Sequence, residues 1–201
     1  MKVVLASHNR HKWAEIQKIT SKFNMELLLE SDLGIDADVE ETGTTFEENS
    51  YIKAKAIMEL TGLPALADDS GISVAALNGA PGVYSARYGN DPSLDDRGRL
   101  ELLLKNTENV PDDKRDAMYV AVITLVMPDG KTVQARGEVH GKLLREPAGE
   151  GGFGYDPIFS YPPFGKTFAQ VSAEEKNSVS HRAVALQEFY RKLKEAGYAD
   201  K

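Results

Sequence analysis

Cysteine is absent from this chain of 201 residues. Its absence excludes disulfide bonds, thiolate zinc sites and cysteine nucleophiles, and it is typical of a reducing compartment. Long apolar runs are absent as well, since none approaches the ~20 residues that a membrane-spanning helix needs. The N-terminal run Met1–Ala6 is too short for a signal peptide. We therefore expect a cytoplasmic protein that does not associate with membranes.

An excess of positive charge is also missing. Asp and Glu number 31 against 24 Lys and Arg, which gives a formal net charge of −7. Coating of nucleic acid needs a strong positive field, so the composition argues against a nucleic-acid-binding protein but allows a local basic pocket for a small anion. Hydrophobic residues at 41% and charged residues at 27% are ordinary for a globular protein. The length predicts one domain or two closely packed lobes.

Strand-like and helix-like segments alternate along the chain. Apolar runs predict strands over residues 2–6, 65–67, 72–77, 117–127 and 132–144. Amphipathic spacing and capping signals predict helices after the loop 7–12, over 46–60, after Ser93 and from about Val179. This order predicts an α/β or α+β fold around a mixed sheet, in which a hairpin is able to build a second lobe. A cleft between two lobes is the natural place for a ligand.

Two acidic clusters accompany these predicted elements. Asp68-Asp69-Ser70-Gly71 lies at the predicted end of a buried strand, where carboxylates suit Mg²⁺, an ion that prefers oxygen ligands. A plain acidic turn is the alternative. Glu40-Glu41-Thr42-Gly43 precedes a capped helix, where glutamate also favours the helix dipole without any ligand. Both clusters are candidate metal sites, and neither is decisive alone.

The loop Ser7–Lys12 connects the first predicted strand to the first predicted helix. Backbone N–H groups at a helix start, together with the side chains of Ser7, Asn9 and Lys12, suit a phosphate group. The loop lacks the glycines of a Walker motif, and an ordinary strand-to-helix loop is the alternative.

The segment Gly149-Glu150-Gly151-Gly152-Phe153-Gly154 matches the dinucleotide-binding fingerprint letter for letter. We reject this interpretation because the fingerprint requires a strand before it and a helix after it. Here Pro147 precedes the segment, and Tyr155-Asp156-Pro157 follows it without helical spacing. The glycines instead indicate a loop that closely approaches a ligand. Phe153 offers a face on which a base could stack; alternatively, it attaches the loop to the core.

Cationic side chains are concentrated where the last helix is predicted to begin. The cluster consists of Lys176, Ser178, Ser180, His181 and Arg182. Cations are unfavourable at a helix N-terminus, so we expect an anion or a group rich in acceptors beside them, although a solvated basic face is the alternative. These features together indicate an enzyme that acts on a nucleotide polyphosphate: acidic metal ligands, a phosphate-binding helix start, a stacking aromatic and a donor cluster.

Several segments in one order resemble the inosine triphosphate pyrophosphatase family, also known as XTP/dITP diphosphatases. The segments that carry the resemblance are Ser7–Lys12, Glu40–Gly43 with Thr45-Phe46 and Glu48-Asn49, Lys53-Ala54, Ala67–Gly71, Gly79–Gly82 with Tyr84–Tyr88, Gly151–Pro157, and Glu175-Lys176 with Ser180–Arg182. Many members have Thr-Gly-Asn in the first loop, whereas this chain has Ser7-His8-Asn9. The hydroxyl and the amide are kept, but His8 replaces a glycine.

The resemblance implies a single two-lobed α/β domain over residues 1–201, built around a long mixed β-sheet flanked by helices, with the active site in the cleft. It implies hydrolysis of ITP, dITP and XTP to the monophosphate and pyrophosphate with Mg²⁺, cleansing the nucleotide pool, and a homodimer. Glu40 and Asp69 are the implied metal ligands, and Asp69 is the implied proton acceptor; Asp68 is an indirect or alternative ligand. The implied substrate-binding residues are Ser7, His8, Asn9, Arg10, His11, Lys12, Lys53, Ser70, Phe153, Gly154, Tyr155, Asp156, Lys176, His181 and Arg182.

Base selection follows from donor and acceptor chemistry. Hypoxanthine and xanthine carry an acceptor oxygen at position 6, where adenine carries a donor amino group. Donors from Lys176, His181, Arg182 or loop amides would therefore mismatch adenine. A related pyrophosphatase acting on modified pyrimidine nucleotides and a nucleotide sensor without catalysis are the alternatives.

Overall fold

The computed structural model of the chain describes residues 1–198. Within this range, strands and α-helices alternate. The strands are β1 (Lys2–Leu5), β2 (Glu26–Leu29), β3 (Ala65–Val74), β4 (Asp116–Val126), β5 (Thr132–Leu143), β6 (Phe159–Tyr161) and β7 (Lys166–Thr167). The helices are α1 (Arg10–Thr20), α2 (Phe46–Thr61), α3 (Asp96–Asn106), α4 (Ala173–Val179) and α5 (His181–Glu195).

The strands form one seven-stranded mixed sheet with the order β2-β1-β3-β4-β5-β6-β7. β1 lies parallel to both of its neighbours, with Val4 opposite Leu28 of β2 and Ala65 of β3. β6 runs antiparallel to β5 and β7. Helices flank the sheet, so the expectation of an α/β fold with a mixed sheet is confirmed.

Contacts divide the chain into two compact units. Of the described residues, the first unit contains 1–69, 121–137 and 181–198. Its larger core joins apolar residues of β1, β2 and β4 to α1 and α5, with Leu5, Ile16 and Phe189 fully buried. A smaller cluster packs α2 against β1 and β3. β1 is apolar on both faces because both are covered, as in most parallel sheets.

The second unit contains residues 70–120 and 138–180. Its core includes Ile72, Leu100 and Ile158 together with an aromatic cluster. In that cluster, the Tyr119 ring centroid lies 4.5 Å from that of Phe159 and 6.1 Å from that of Phe168. That these two units form a single two-lobed domain stays a prediction.

Two sequence-based boundaries are wrong. β3 does not end at Ala67: it continues through Asp68-Asp69-Ser70-Gly71 to Val74. Charged side chains fit inside this strand because cations from other elements neutralise them. The last helix does not start at Val179, because α4 ends there and α5 begins at His181. No helix within residues 1–198 is both long and apolar enough to cross a membrane.

Candidate active site

The predicted phosphate loop is organised by the N-cap of α1. The side chain of Asn9 accepts hydrogen bonds from the backbone N–H groups of His11 and Lys12, at 3.0 and 3.1 Å. The Asn9 N–H donates in turn to Ser7 Oγ at 3.1 Å. Asn9 already occupies two backbone N–H donors of the helix start. A phosphate bound here would therefore depend largely on side-chain donors. Among them, Arg10 is exposed.

His8 connects this loop to the segment that follows β2. Its Nε2 lies 3.1 Å from the carbonyl oxygen of Ala37 and so donates to it, and it lies 4.0 Å from Glu30 Oε2 and from Asp36 Oδ1. Glu30 is buried, and burial raises the pKa of its carboxyl although His8 opposes the shift. The imidazole that replaces the family's glycine therefore has partners inside this unit.

Asp68 is the centre of a buried ion network. Its Oδ1 lies 2.8 Å from Lys12 Nζ, and its Oδ2 accepts a hydrogen bond of 3.0 Å from Arg182 Nε. Arg182 also pairs with Glu15 of α1. Burial alone would raise the pKa of Asp68, but Arg182 and Lys12 hold it well below its usual range. Two carboxylates therefore compensate the charge of Arg182 at the start of α5: Asp68 of β3 and Glu15 of α1.

Asp69 has the opposite environment. Its Oδ1 lies 3.4 Å from Lys53 Nζ, and burial raises its pKa to about 6, although Lys53 and Lys12 oppose the shift. Asp69 Oδ2 is buried and accepts no hydrogen bond from the described residues. A buried carboxylate oxygen without a donor is costly, so this atom is available to a proton, a water molecule or a cation.

Lys53 is placed by the packing of α2 on the sheet. Its ammonium donates to the Asp68 carbonyl oxygen at 2.9 Å and lies 3.1 Å from Glu41 Oε1. One turn of the helix earlier, Ser50 Oγ is buried 2.8 Å from Thr124 Oγ1 of β4 and 3.2 Å from the Ala67 carbonyl oxygen. These contacts fix the register of α2 against β3.

The start of α2 also fixes the acidic segment before it. Thr45 and Glu48 form the predicted capping box. Asn49 Oδ1 accepts a 2.8 Å hydrogen bond from the Gly43 N–H, and a Cβ on Gly43 would lie only 2.6 Å from that oxygen. This geometry brings Glu41 to Lys53, whereas Glu40 is exposed. That Glu40 binds the metal stays a prediction.

The second unit contains a cluster around Asp156. Asp156 Oδ2 accepts hydrogen bonds from Lys176 Nζ at 2.7 Å and from the Phe153 N–H at 3.0 Å. The Lys176 ammonium also lies 4.6 Å from the centroid of the half-buried Phe153 ring, a cation–π distance. Gly152 has φ +66°, and a Cβ there would meet Asp156 Oδ2 at 2.2 Å. The predicted glycine loop is thus folded around a buried carboxylate.

The remaining predicted residues occupy different environments. The Tyr155 ring is part of the core, and its hydroxyl donates to the Ser85 carbonyl oxygen at 2.6 Å, so only its backbone is available to a ligand. Gly154 has φ +61°, Ser70 lies in β3, and His181 is the buried first residue of α5. All of their proposed substrate contacts stay predictions.

The sequence reasoning missed Glu15, the pairing of Glu41 with Lys53, and Tyr119. Glu15 follows Lys12 by three residues, so the two share a helix face, which was an available signal. Tyr119 is a polar-tipped residue inside an apolar strand, and a buried phenol usually has a hydrogen-bond partner. The partner itself, Asp156, lies 37 positions away and leaves no local signal.

Comparison with known proteins decides the family. A sequence profile described as the Ham1 family matches residues 3–192. This chain belongs to the Ham1 family. It is 46% identical over 187 residues to the dITP/XTP pyrophosphatase of Shigella flexneri, covering 92% of this chain and 94% of that protein. It is 44% identical over 199 residues to the dITP/XTP pyrophosphatase of Clostridium perfringens, covering 96% and 97%. The resemblance predicted from the sequence is confirmed.

Solved Ham1 structures share the fold. The HAM1 protein from Coxiella burnetii superposes with a TM-score of 0.87 at 41% identity, covering 97% of this chain and 99% of that one. The Staphylococcus aureus Ham1 protein gives a TM-score of 0.86 at 40% identity, with coverage of 98% and 100%. The seven-stranded mixed sheet is therefore the Ham1 fold over nearly its whole length.

Proposed function

We propose that this Ham1 protein hydrolyses purine nucleoside triphosphates with a non-standard base, namely dITP, XTP and ITP, to the monophosphate and pyrophosphate. Relatives that are 44–46% identical over more than nine-tenths of their length bear the name dITP/XTP pyrophosphatase. The observation in this chain that carries the proposal is Asp69, which lies beside Lys53. It is a buried carboxylate with a raised pKa, and one of its oxygens accepts no hydrogen bond from the residues that the structure describes.

Asp69 is suited to the role of general base. In the metal-free chain burial raises its pKa to about 6, so it is ionised at neutral pH yet more basic than an ordinary aspartate. It accepts a proton from a water molecule, whose oxygen forms a bond to the α-phosphorus. The bond from that phosphorus to the bridging oxygen breaks, and pyrophosphate leaves with the electron pair. Lys12 and Lys53 share the charge that develops on the phosphates.

The residues around Asp69 fit a magnesium ion. Mg²⁺ is commonly bound by one or two carboxylates, with substrate phosphates and water completing its shell. Among the described residues, no group of three or more His, Asp or Glu side chains is arranged to hold a metal. Asp69 together with Glu40 or Glu41 would hold it, since both oxygens of Asp68 already face cations. When bound, the ion neutralises phosphate charge and lowers the pKa of water.

Recognition of the base is assigned to the Asp156 cluster. The Lys176 ammonium, which is buried and paired with Asp156, is an N–H donor, and a donor matches the 6-oxygen of hypoxanthine or xanthine. The exocyclic amino group of adenine is itself a donor, so it does not match a donor at this place. Phe153 provides the stacking face.

The direct test offers the purified protein dITP, XTP or ATP, with Mg²⁺ or with EDTA, and identifies the phosphate product. We expect pyrophosphate from dITP and XTP, much less from ATP, and turnover only with the metal. Asp69→Asn should abolish turnover. Orthophosphate as the first product, or normal turnover by Asp69→Asn, would contradict the proposal.

The cellular setting is proposed from the composition and from the family resemblance. We infer that the protein acts in the cytoplasm, as the absence of cysteine suggests, and as a homodimer, as the family resemblance implies. No nucleic-acid partner is expected at a net charge of −7. Light scattering during gel filtration measures the oligomeric state.

A further inference from the structure

Tyr119 has no part in the function proposed above, yet it contacts the base-recognition cluster. It lies in β4, is only 5% exposed, and its hydroxyl donates a 3.0 Å hydrogen bond to Asp156 Oδ1. A phenol at this depth would be costly without an acceptor, so the contact is an integral part of the cluster.

The Asp156 carboxylate is held on both sides. Tyr119 occupies Oδ1, while Oδ2 accepts from Lys176 and from the Phe153 N–H. Because each oxygen has its own donors, the carboxylate cannot rotate without losing a hydrogen bond. Its orientation in turn places the Lys176 ammonium and, through the backbone N–H, the residue Phe153, whose ring is assigned to stacking on the base.

Tyr119 is itself rigid. Its ring lies nearly parallel to that of Phe168, at an interplanar angle of 4°, and packs against Phe159. The hydroxyl can therefore be removed without removing the packing: Tyr119→Phe keeps the ring and deletes one hydrogen bond to a charged acceptor.

We propose that Tyr119 is a positioning residue for base selection, acting on Lys176 and Phe153 through Asp156. This inference rests on the proposed function of the cluster, because it concerns which bases the enzyme accepts. It predicts that the hydroxyl affects substrate binding and discrimination, whereas proton transfer at Asp69 does not depend on it.

The test compares Tyr119→Phe with the wild type for dITP and ATP. Hydrogen bonds to charged groups typically contribute enough that their loss changes an equilibrium by about tenfold or more. We expect the KM for dITP to rise about tenfold, the preference for dITP over ATP to fall by a similar factor, and kcat to stay within about twofold. In an Asp156→Ala background, which removes the acceptor, Tyr119→Phe should have little further effect on KM and selectivity, because the hydroxyl acts through Asp156.

Tyr161→Phe is the matched control. Tyr161 belongs to the same aromatic cluster, with its ring centroid 5.7 Å from that of Phe168, but the Asp156 hydrogen bonds come from Tyr119, Lys176 and Phe153. It should leave KM and selectivity unchanged. A Tyr119→Phe enzyme with wild-type KM and wild-type preference for dITP would overturn the inference. It would also be overturned if Tyr119→Phe and Tyr161→Phe lost binding and preference equally, in proportion to the fall in their melting temperatures.

A second readout separates this inference from the proposed function. The ¹⁵Nζ resonance of Lys176 reports its hydrogen bond to Asp156 without any turnover. We expect faster exchange of its ammonium protons in Tyr119→Phe than in the wild type or Tyr161→Phe, and unchanged exchange would refute the positioning role. A wild type that releases no pyrophosphate from dITP would refute the proposed function instead.

Discussion

At the scale of single residues, two adjacent aspartates show how the local environment gives identical side chains different pKa values. Both are buried in β3, and burial by itself would raise the pKa of each. Asp68 faces Arg182 and Lys12 at close range, and these outweigh the burial. Asp69 has Lys53 at 3.4 Å from one oxygen, and within residues 1–198 the other oxygen has no described donor, so the effect of burial on its pKa dominates. Asp68 is therefore held as an anion, whereas Asp69 has the environment that the proposed general base requires.

The same difference predicts opposite effects on stability. The folded pKa of Asp69 is about 6, above its unfolded value. The group therefore does not destabilise the folded state below about pH 4, and it destabilises it increasingly as the pH rises through 6. Asp69→Asn should therefore raise the melting temperature in EDTA, by the equivalent of about 2–3 kcal/mol at pH 8 and by less at pH 5.

Asp68→Asn is the matched variant and should do the reverse. The pKa of Asp68 is depressed in the folded state, so its stabilisation is present above about pH 4 and lost as the pH falls further. Its removal leaves the buried Arg182 with Glu15 as its carboxylate partner, a loss of about 3–5 kcal/mol for a broken buried pair. Equal melting temperatures for the two variants at pH 8 would contradict this account.

At the scale of elements, the sequence predicted those whose signals are local. The capping box at Thr45 and Glu48 and the apolar run of β4 gave boundaries within a residue or so. β3 was split in the prediction because Asp68-Asp69-Ser70-Gly71 reads as a turn, and the cations that permit a continuous strand come from α1, α2 and α5. β6 was missed because a three-residue strand is defined only by its pairing, here Phe159 with Leu143. Both errors, the split β3 and the missed β6, arise because the partners that define these strands lie far away in the sequence.

The placement of α5 depends on a glycine in β5. A Cβ on Gly137 would lie 2.2 Å from the His181 carbonyl oxygen and 2.3 Å from the Ala185 backbone nitrogen. Both are backbone atoms at the start of α5, so the helix itself would have to move. Gly137→Ala should cost at least about 2 kcal/mol of stability and, by displacing Arg182, reduce turnover.

Gly98→Ala is the control for this prediction. The added Cβ would approach the end of a flexible side chain, Leu94 Cδ2, at 2.9 Å, and Gly98 lies inside α3, where alanine is the better helix former by about 1 kcal/mol. Chemical denaturation and the rate of pyrophosphate release measure both variants. A Gly137→Ala protein as stable and active as Gly98→Ala would show that the contact at α5 is not limiting.

At the scale of the whole molecule, the net charge does not reveal where buried cations lie. The chain has a net charge of −7, yet Lys12, Lys53 and Arg182 lie largely buried in the first unit, and Lys176 is buried in the second. Carboxylates that pair with these cations make their burial possible. A global count argues against nucleic-acid coating, but it does not place the buried cations, which were predicted from motifs.

The two compact units share three strands, and this predicts how the molecule unfolds. β3, β4 and β5 each continue from one unit into the other, so loss of backbone pairing in one unit propagates along the same strands. We expect one cooperative transition in urea. Trp13, the chain's single tryptophan, reports the first unit, and Tyr161→Trp in a Trp13→Phe background reports the second. The two fluorescence curves and the far-UV circular dichroism should coincide; separated midpoints would show that each unit unfolds independently despite the continuous strands.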